Sequence, residues 1–262
     1  MNDYYQYEQY QRPQYVRSAR ITWGVQRLIL LNTLVFAGQL LVDIPLGGFS
    51  LHGTGLLPPG GIVNQLFAFQ PSAFAAGALW KPFTYMFLHG GLMHLFLNML
   101  WLFFFGPDVE RALGTRQFIR FYVLCGAVAV LATFVTRALF GHAVSVTGAS
   151  GAVMGIMVAF AMANPEREFF LFPFPFRVNA RALVIIVVGM NVLTALQPGG
   201  NTSVATHFGG MLVGYGYMKA MPRFRRWQLS MRRRQSGPRD PMDAAREAVD
   251  NIFEFEEKKR PR

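Results

Sequence analysis

Apolar residues run along this chain in six long blocks, at about 26 to 43, 91 to 106, 117 to 138, 150 to 163, 182 to 197 and 203 to 220, with polar residues gathered between them. Each block comes close to the roughly 20 residues that a helix needs to cross ~30 Å of hydrocarbon. The pattern predicts an all-α polytopic membrane protein, a bundle of six transmembrane helices. It divides the chain into a disordered cytoplasmic leader (1 to 25), a six-helix membrane domain (26 to 220) and a basic cytoplasmic tail (221 to 262). The leader, rich in Tyr and Gln, has neither a basic segment followed by an apolar core nor an Arg/Ser transit pattern, so no cleaved signal is expected.

Basic residues orient the bundle. Arg12, Arg17, Arg20 and Arg27 lead into the first block, and Arg111, Arg116 and Arg120 follow the second. Arg167, Arg177 and Arg181 follow the fourth, and the Arg-rich tail follows the sixth, while the opposite loops offer only Lys81 and Arg137. The positive-inside rule places both termini in the cytoplasm, with blocks 2, 4 and 6 running from outside to inside. The first outer loop, about 44 to 88, is long and carries an apolar stretch around Leu66 to Phe74 that suits the membrane interface. In the tail, Asp240-Pro241 reads as a helix start, and Met242, Ala245, Val249 and Ile252 recur at helical spacing, so a short amphipathic helix is expected there.

Composition agrees with this reading. Apolar residues make up 52% of the chain and charged residues 15%, too apolar a balance for an ordinary soluble domain. The net charge of +11 is concentrated in the tail beside the hydrophobic body, which points to a lipid surface and away from nucleic acid. Cys125, the single cysteine, falls within an apolar run and reads as an inert buried thiol. No Cys, His, Asp or Glu cluster has metal-ligand spacing, so neither a metal nor another cofactor is expected.

Polar residues inside membrane spans are costly, and here they concentrate at one depth. The three blocks entering from outside carry them in their first turns: His94 and Asn98, then Ser150, then His207. The fourth block is short before Asn164-Pro165 ends it, which sets Ser150 several Å below the outer surface, where water must reach. Ser150 sits in Thr147-Gly148-Ala149-Ser150-Gly151-Ala152. Ala152 rules out the GxSxG elbow of soluble hydrolases, leaving a serine between glycines at a helix start. Gly151 and Gly155 on the fourth block, and Gly210 and Gly214 on the sixth, form small-xxx-small faces, which predicts that these two helices pack closely enough for Ser150 to meet His207. Every Asp and Glu lies in a loop, a tail or at a block end, so a Ser-His dyad is favoured over an acidic triad, with His94 and Asn98 suited to an oxyanion hole. Taken singly, each feature has a blander reading: a lone Ser bonds its own backbone, a lone His is structural, glycine pairs mean packing. Coincidence of depth, side and flanking glycine decides between them. His89 reads as a residue at the mouth of the second block, His142 as a loop residue, Glu110 as a tie in a cytoplasmic loop, and Asn191 as helix glue.

From about Trp80 to Gly214 the chain resembles the rhomboid intramembrane serine proteases. The resemblance rests on His94-Leu95-Phe96-Leu97-Asn98, Gly106-Pro107-Asp108-Val109-Glu110 with Gly114, Gly148-Ala149-Ser150-Gly151, and His207 with Gly210 and Gly214. It implies a six-helix protease without cofactor that cuts single-span membrane proteins. Ser150 would be the nucleophile, His207 the general base, and His94 and Asn98 the oxyanion donors, with a lateral gate at the fifth helix. Two positions depart from the family pattern. Lys81 stands after Trp80 where many members have Arg, and Met154 stands four residues after Ser150 where many have an aromatic. A thioether still packs on an imidazole, so altered orientation of His207 is expected, not inactivity. Two rival readings are a non-proteolytic relative that binds transmembrane clients, disfavoured because serine and histidine are both present, and a transporter, which would spread ionisable groups along a path.

Overall fold

The structure, a computed structural model, describes residues 21–46, 61–134, 141, 145–170, 177–196 and 201–235. The chain divides into two units, 1–216 and 217–262. His142, the leader up to residue 20 and the Asp240-Pro241 helix start lie outside the described residues.

The described residues are predominantly helical. In chain order the helices are α1 (Trp23–Asp43), three short helices α2 (Gly61–Phe67), α3 (Pro71–Ala75) and α4 (Lys81–Thr84), then α5 (Leu92–Leu113), α6 (Thr115–Ala129), α7 (Ser150–Ala163), α8 (Ala180–Ala195) and α9 (Asn201–Gln235). Three segments, Trp23–Asp43, Leu92–Leu113 and Thr115–Phe134, are long and apolar enough to cross a membrane, and α7 and α8 are shorter apolar helices. A two-stranded antiparallel ribbon between α7 and α8, β1 (Glu168–Phe170) with β2 (Arg177–Asn179), departs from the all-α expectation. Phe169 anchors it against Phe105 and Phe160, a tertiary contact that the apolar pattern does not encode.

Several boundaries also moved. Helix α5 runs past the expected stop at Gly106 and carries Pro107 in its interior, ending at Gly114, whose φ of 81° favours glycine. Proline costs a helix one N–H and crowds the preceding turn, yet membrane helices tolerate it where neighbouring helices support the backbone. Here Gly106 fits tightly against Val25 of α1, and Pro107 itself is buried. Arg27 lies inside α1, its guanidinium 4.9 Å above the Trp23 ring.

Burial is inverted relative to a soluble protein. Helix α1 buries Asn32, Gln39 and Asp43 and exposes Leu30, Leu31, Leu34 and Leu41. That distribution suits a helix whose outer face meets lipid. Helix α7 is the central element, buried at every position from Gly151 to Ala161 except Met154, which is half-buried. Its small residues admit close neighbours. Gly155 faces Cys125 of α6 and the Gly210 carbonyl of α9, and a Cβ on Gly214 would stand 2.5 Å from the Gly155 carbonyl oxygen.

The loop between α1 and α5 is folded around Lys81, which is buried and not a free outer-loop cation. Its ammonium donates to the carbonyls of Gln65 (2.6 Å) and Ala68 (3.0 Å) and to Gln70 Oε1 (3.4 Å). Trp80 Nε1 donates to Leu66 O and Thr84 Oγ1 to Phe67 O, so one short segment satisfies the free carbonyls at the end of α2. At the other end of α2, Asp43 accepts from the Val63 amide at 3.1 Å. An isolated bridge between Phe69 and Val146 ties this loop to the strand-like approach to α7.

Candidate active site

Ser150 opens α7, so its amide and those of Gly151 and Ala152 precede the first intrahelical bond, which Val153 N makes to Ala149 O. The turn before it is fixed from two sides. Gly148 adopts a φ of 117°, which an L side chain rarely tolerates, and its amide donates to Tyr85 O at 3.0 Å. A Cβ there would stand 2.6 Å from His94 Cε1 and 2.7 Å from Nε2, so the His94 ring lies directly over Gly148, two residues before Ser150.

Helices α7 and α9 meet on their glycines. A methyl on Gly210 would overlap the Gly151 carbonyl oxygen, and Gly151 itself is enclosed by Ala129, Thr206 and the Tyr85 hydroxyl. This is the contact between the fourth and sixth blocks that the small-xxx-small faces predict. At the end of α7 where that helix starts, Ser150 Oγ lies 2.9 Å from His207 Nε2, a hydrogen bond with both residues half-buried.

The other nitrogen of His207, Nδ1, is 2.6 Å from Asn191 Oδ1 on α8. Asn191 Nδ2 donates to Val187 O at 2.8 Å. The sequence reading of Asn191 as helix glue fits the bond between α8 and α9 but did not name His207 as its partner. An available signal was depth: Asn191 near the end of α8 and His207 near the start of α9 flank one short connection, so they stand at similar height.

Just before α5, the Gly90 amide approaches His94 Nδ1 at 3.4 Å. An amide can only donate, so Nδ1 is the acceptor and Nε2 carries the ring proton, on the side that covers Gly148. Asn98 is buried and uses Nδ2 to bond His94 O at 2.9 Å. His94 thus places a donor beside the turn that carries Ser150, whose hydroxyl is bonded by His207 through Nε2. His89 stands just before α5, at the mouth expected for it, and is fully buried there, with its ring edge-on to Phe36 and 5.2 Å from the His94 ring. It stands in the loop before α5, where burial, together with the neighbouring His94, pushes its imidazole down to about 4, so it is neutral near pH 7. Cys125 is buried beside Gly155, away from the hydroxyl. Glu110 holds the start of α1, accepting from Thr22, Gly24 and Val25 as well as Thr115.

These elements bring the Ser150 hydroxyl into hydrogen-bond contact with the His207 imidazole, with His94 beside the same turn. A family model described as "Rhomboid domain" matches residues 76–224. The chain is 32% identical over 147 residues to "Rhomboid protease GluP" of Bacillus subtilis, covering 56% of this chain and 27% of that protein. It is 37% identical over 83 residues to "Putative rhomboid protease YdcA" of the same organism (31% of this chain, 40% of the relative). It is 29% identical over 153 residues to "RHOMBOID-like protein 5" of Arabidopsis thaliana (58% and 47%). The matched stretch thus spans between about a quarter and half of these relatives' own length.

Proposed function

The chain belongs to the rhomboid family and is an integral membrane protein; on that premise we propose that it is an intramembrane serine endopeptidase that cuts single-span membrane proteins. The observation that carries the reading is the 2.9 Å hydrogen bond from Ser150 Oγ to the lone pair of His207 Nε2. The hydroxyl gives its proton to Nε2 as Oγ attacks the scissile carbonyl. The resulting oxyanion is received by the Ser150 amide with His94 and Asn98 as further donors, and it collapses to an acyl-enzyme as the imidazolium protonates the leaving amine. Water, deprotonated by His207, then releases the acyl group. No metal or cofactor takes part.

The body is proposed to be the six-span bundle read from the apolar blocks, with both termini cytoplasmic, the basic tail against anionic lipid and the site opening to the outer side of a bacterial cytoplasmic membrane. Support comes from the inverted burial of α1 and from the shared depth of Ser150, His94, Asn98 and His207. A relative that only binds clients would gain nothing from aiming an imidazole lone pair at a hydroxyl.

The test is cleavage of a single-span reporter in proteoliposomes by the full chain and by Ser150→Ala. The proposal expects a product from the first and none from the second. Equal cleavage by both would remove Ser150 from the mechanism.

A further inference from the structure

We propose that Asn191 is the positioning residue of the base, an uncharged third member that completes a Ser150-His207-Asn191 relay across α7, α9 and α8; the inference rests on the Ser-His reading above. Three observations carry it. First, Asn191 Oδ1 is 2.6 Å from His207 Nδ1, on the far side of the ring from Ser150. Second, the amide cannot be turned around. Its Nδ2 is engaged with Val187 O, an atom that only accepts, so the oxygen faces the imidazole. Nδ1 must then carry the proton, and Nε2 keeps the lone pair that the Ser150 hydroxyl needs. Third, Asn191 is 8% exposed, so bulk water does not compete for Nδ1.

A neutral imidazole without this partner is free to place its proton on either nitrogen. The form protonated at Nε2 points an N–H at Ser150 and accepts nothing from it. An amide oxygen fixes the useful tautomer without burying a charge, which suits a site inside a membrane, where an unpaired carboxylate is expensive. Helix α8 buries only Ala180, Leu183 and Asn191 and exposes Ile185, Ile186, Met190 and Leu193. Asn191 is therefore the polar tie between a lightly held helix and the base, and His207 is ready to act while α8 is docked.

The experiment measures fluorophosphonate inactivation of the full chain in detergent micelles, separating the inactivation rate from probe affinity, and records ¹⁵N-imidazole spectra of His207. Asn191→Leu keeps the shape and loses the acceptor. Asn191→Asp restores the acceptor. The proposal expects Asn191→Leu to slow the inactivation rate by roughly 10- to 100-fold at unchanged probe affinity, less than the ~10⁴ lost when a serine protease's histidine is held in the wrong tautomer because here the useful tautomer stays partly populated, and Asn191→Asp to recover most of it. Wild-type His207 should be protonated at Nδ1, with a mixture of tautomers in Asn191→Leu. An unchanged rate in Asn191→Leu would overturn the proposal, as would an Nε2-protonated His207 in the wild type, which is read even if the leucine variant does not fold. Ser150→Ala and His207→Ala separate the two layers of argument. If either still labels at the wild-type rate, the Ser-His reading itself fails; if both are silent while Asn191→Leu is fast, only the role of Asn191 falls.

Discussion

Glu110 offers the most quantitative test of how the body is held together. Its carboxylate, 3% exposed, accepts from Thr22 Oγ1 (2.5 Å), the amides of Gly24 and Val25 (2.9 Å each) and Thr115 Oγ1 (2.6 Å). Thr22 is the N-cap of α1 but makes no side-chain cap of its own, so a residue from α5 performs the capping in trans, at the positive end of the helix dipole. Glu110→Ala removes all four bonds at once. The two hydroxyls can turn toward other partners, but the two amides cannot. At about 1.5–3 kcal/mol for each bond to a charged acceptor, the amides alone set a loss of about 3–6 kcal/mol, and water reaching the vacated space places the expectation near 3 kcal/mol. Glu110→Gln keeps one oxygen and presents an NH₂ to the remaining donors, so its cost is about half of that. Reversible unfolding in mixed micelles measures both. Glu110 lies 16 residues along α5 from His94, roughly 24 Å, so labelling per folded molecule should stay at the wild-type level. A loss below about 1 kcal/mol in Glu110→Ala would show that the carboxylate does not cap α1, and the reasoning would be wrong.

Gly210→Ala is expected to lower stability by about 1–3 kcal/mol and to reduce inactivation per folded molecule, because the methyl meets backbone and separates Ser150 from His207; Gly216→Ala, with open space around it, is the control. His94→Phe and Asn98→Ala should each reduce reporter cleavage by on the order of 10²–10³ in kcat if they hold the oxyanion, with stability measured alongside, since Asn98 is buried. Lys81→Met should destabilise the loop between α1 and α5 by about 1–3 kcal/mol by freeing one buried acceptor, Ala68 O, and two partly buried ones, Gln65 O and Gln70 Oε1. Lys81→Arg should recover only part of that, because a flat guanidinium does not reproduce the spread of the ammonium's three bonds; differential unfolding of the two variants decides it.

How far the sequence reaches depends on whether a residue's partners are local. Helix α7 begins and ends where the apolar block did, since Gly148 before it and Asn164-Pro165 after it are local signals. The pairing of Ser150 with His207 was readable because the glycines that permit it sit on the same helices at regular spacing. Helix α5 was read short, because the apolar run stops at Gly106 while the helix continues through the buried Pro107 to Leu113, with Gly106 packed on Val25. Lys81 was read as an outer-loop charge, yet its three acceptors come from residues 65 to 70, whose fold around it no spacing reveals. The partner of Asn191 was missed for a related reason. An asparagine in a span bonds its own helix whatever else it does, and the second bond becomes visible only when α8 and α9 are placed side by side.

The central claim is that the hydroxyl of Ser150 is a nucleophile made competent by His207. Mass spectrometry of the full chain after fluorophosphonate treatment tests it most directly. The account predicts one adduct, located on Ser150, and none in His207→Ala, in which the hydroxyl keeps its place but loses its base. An adduct on another residue, or an undiminished Ser150 adduct in His207→Ala, would contradict it.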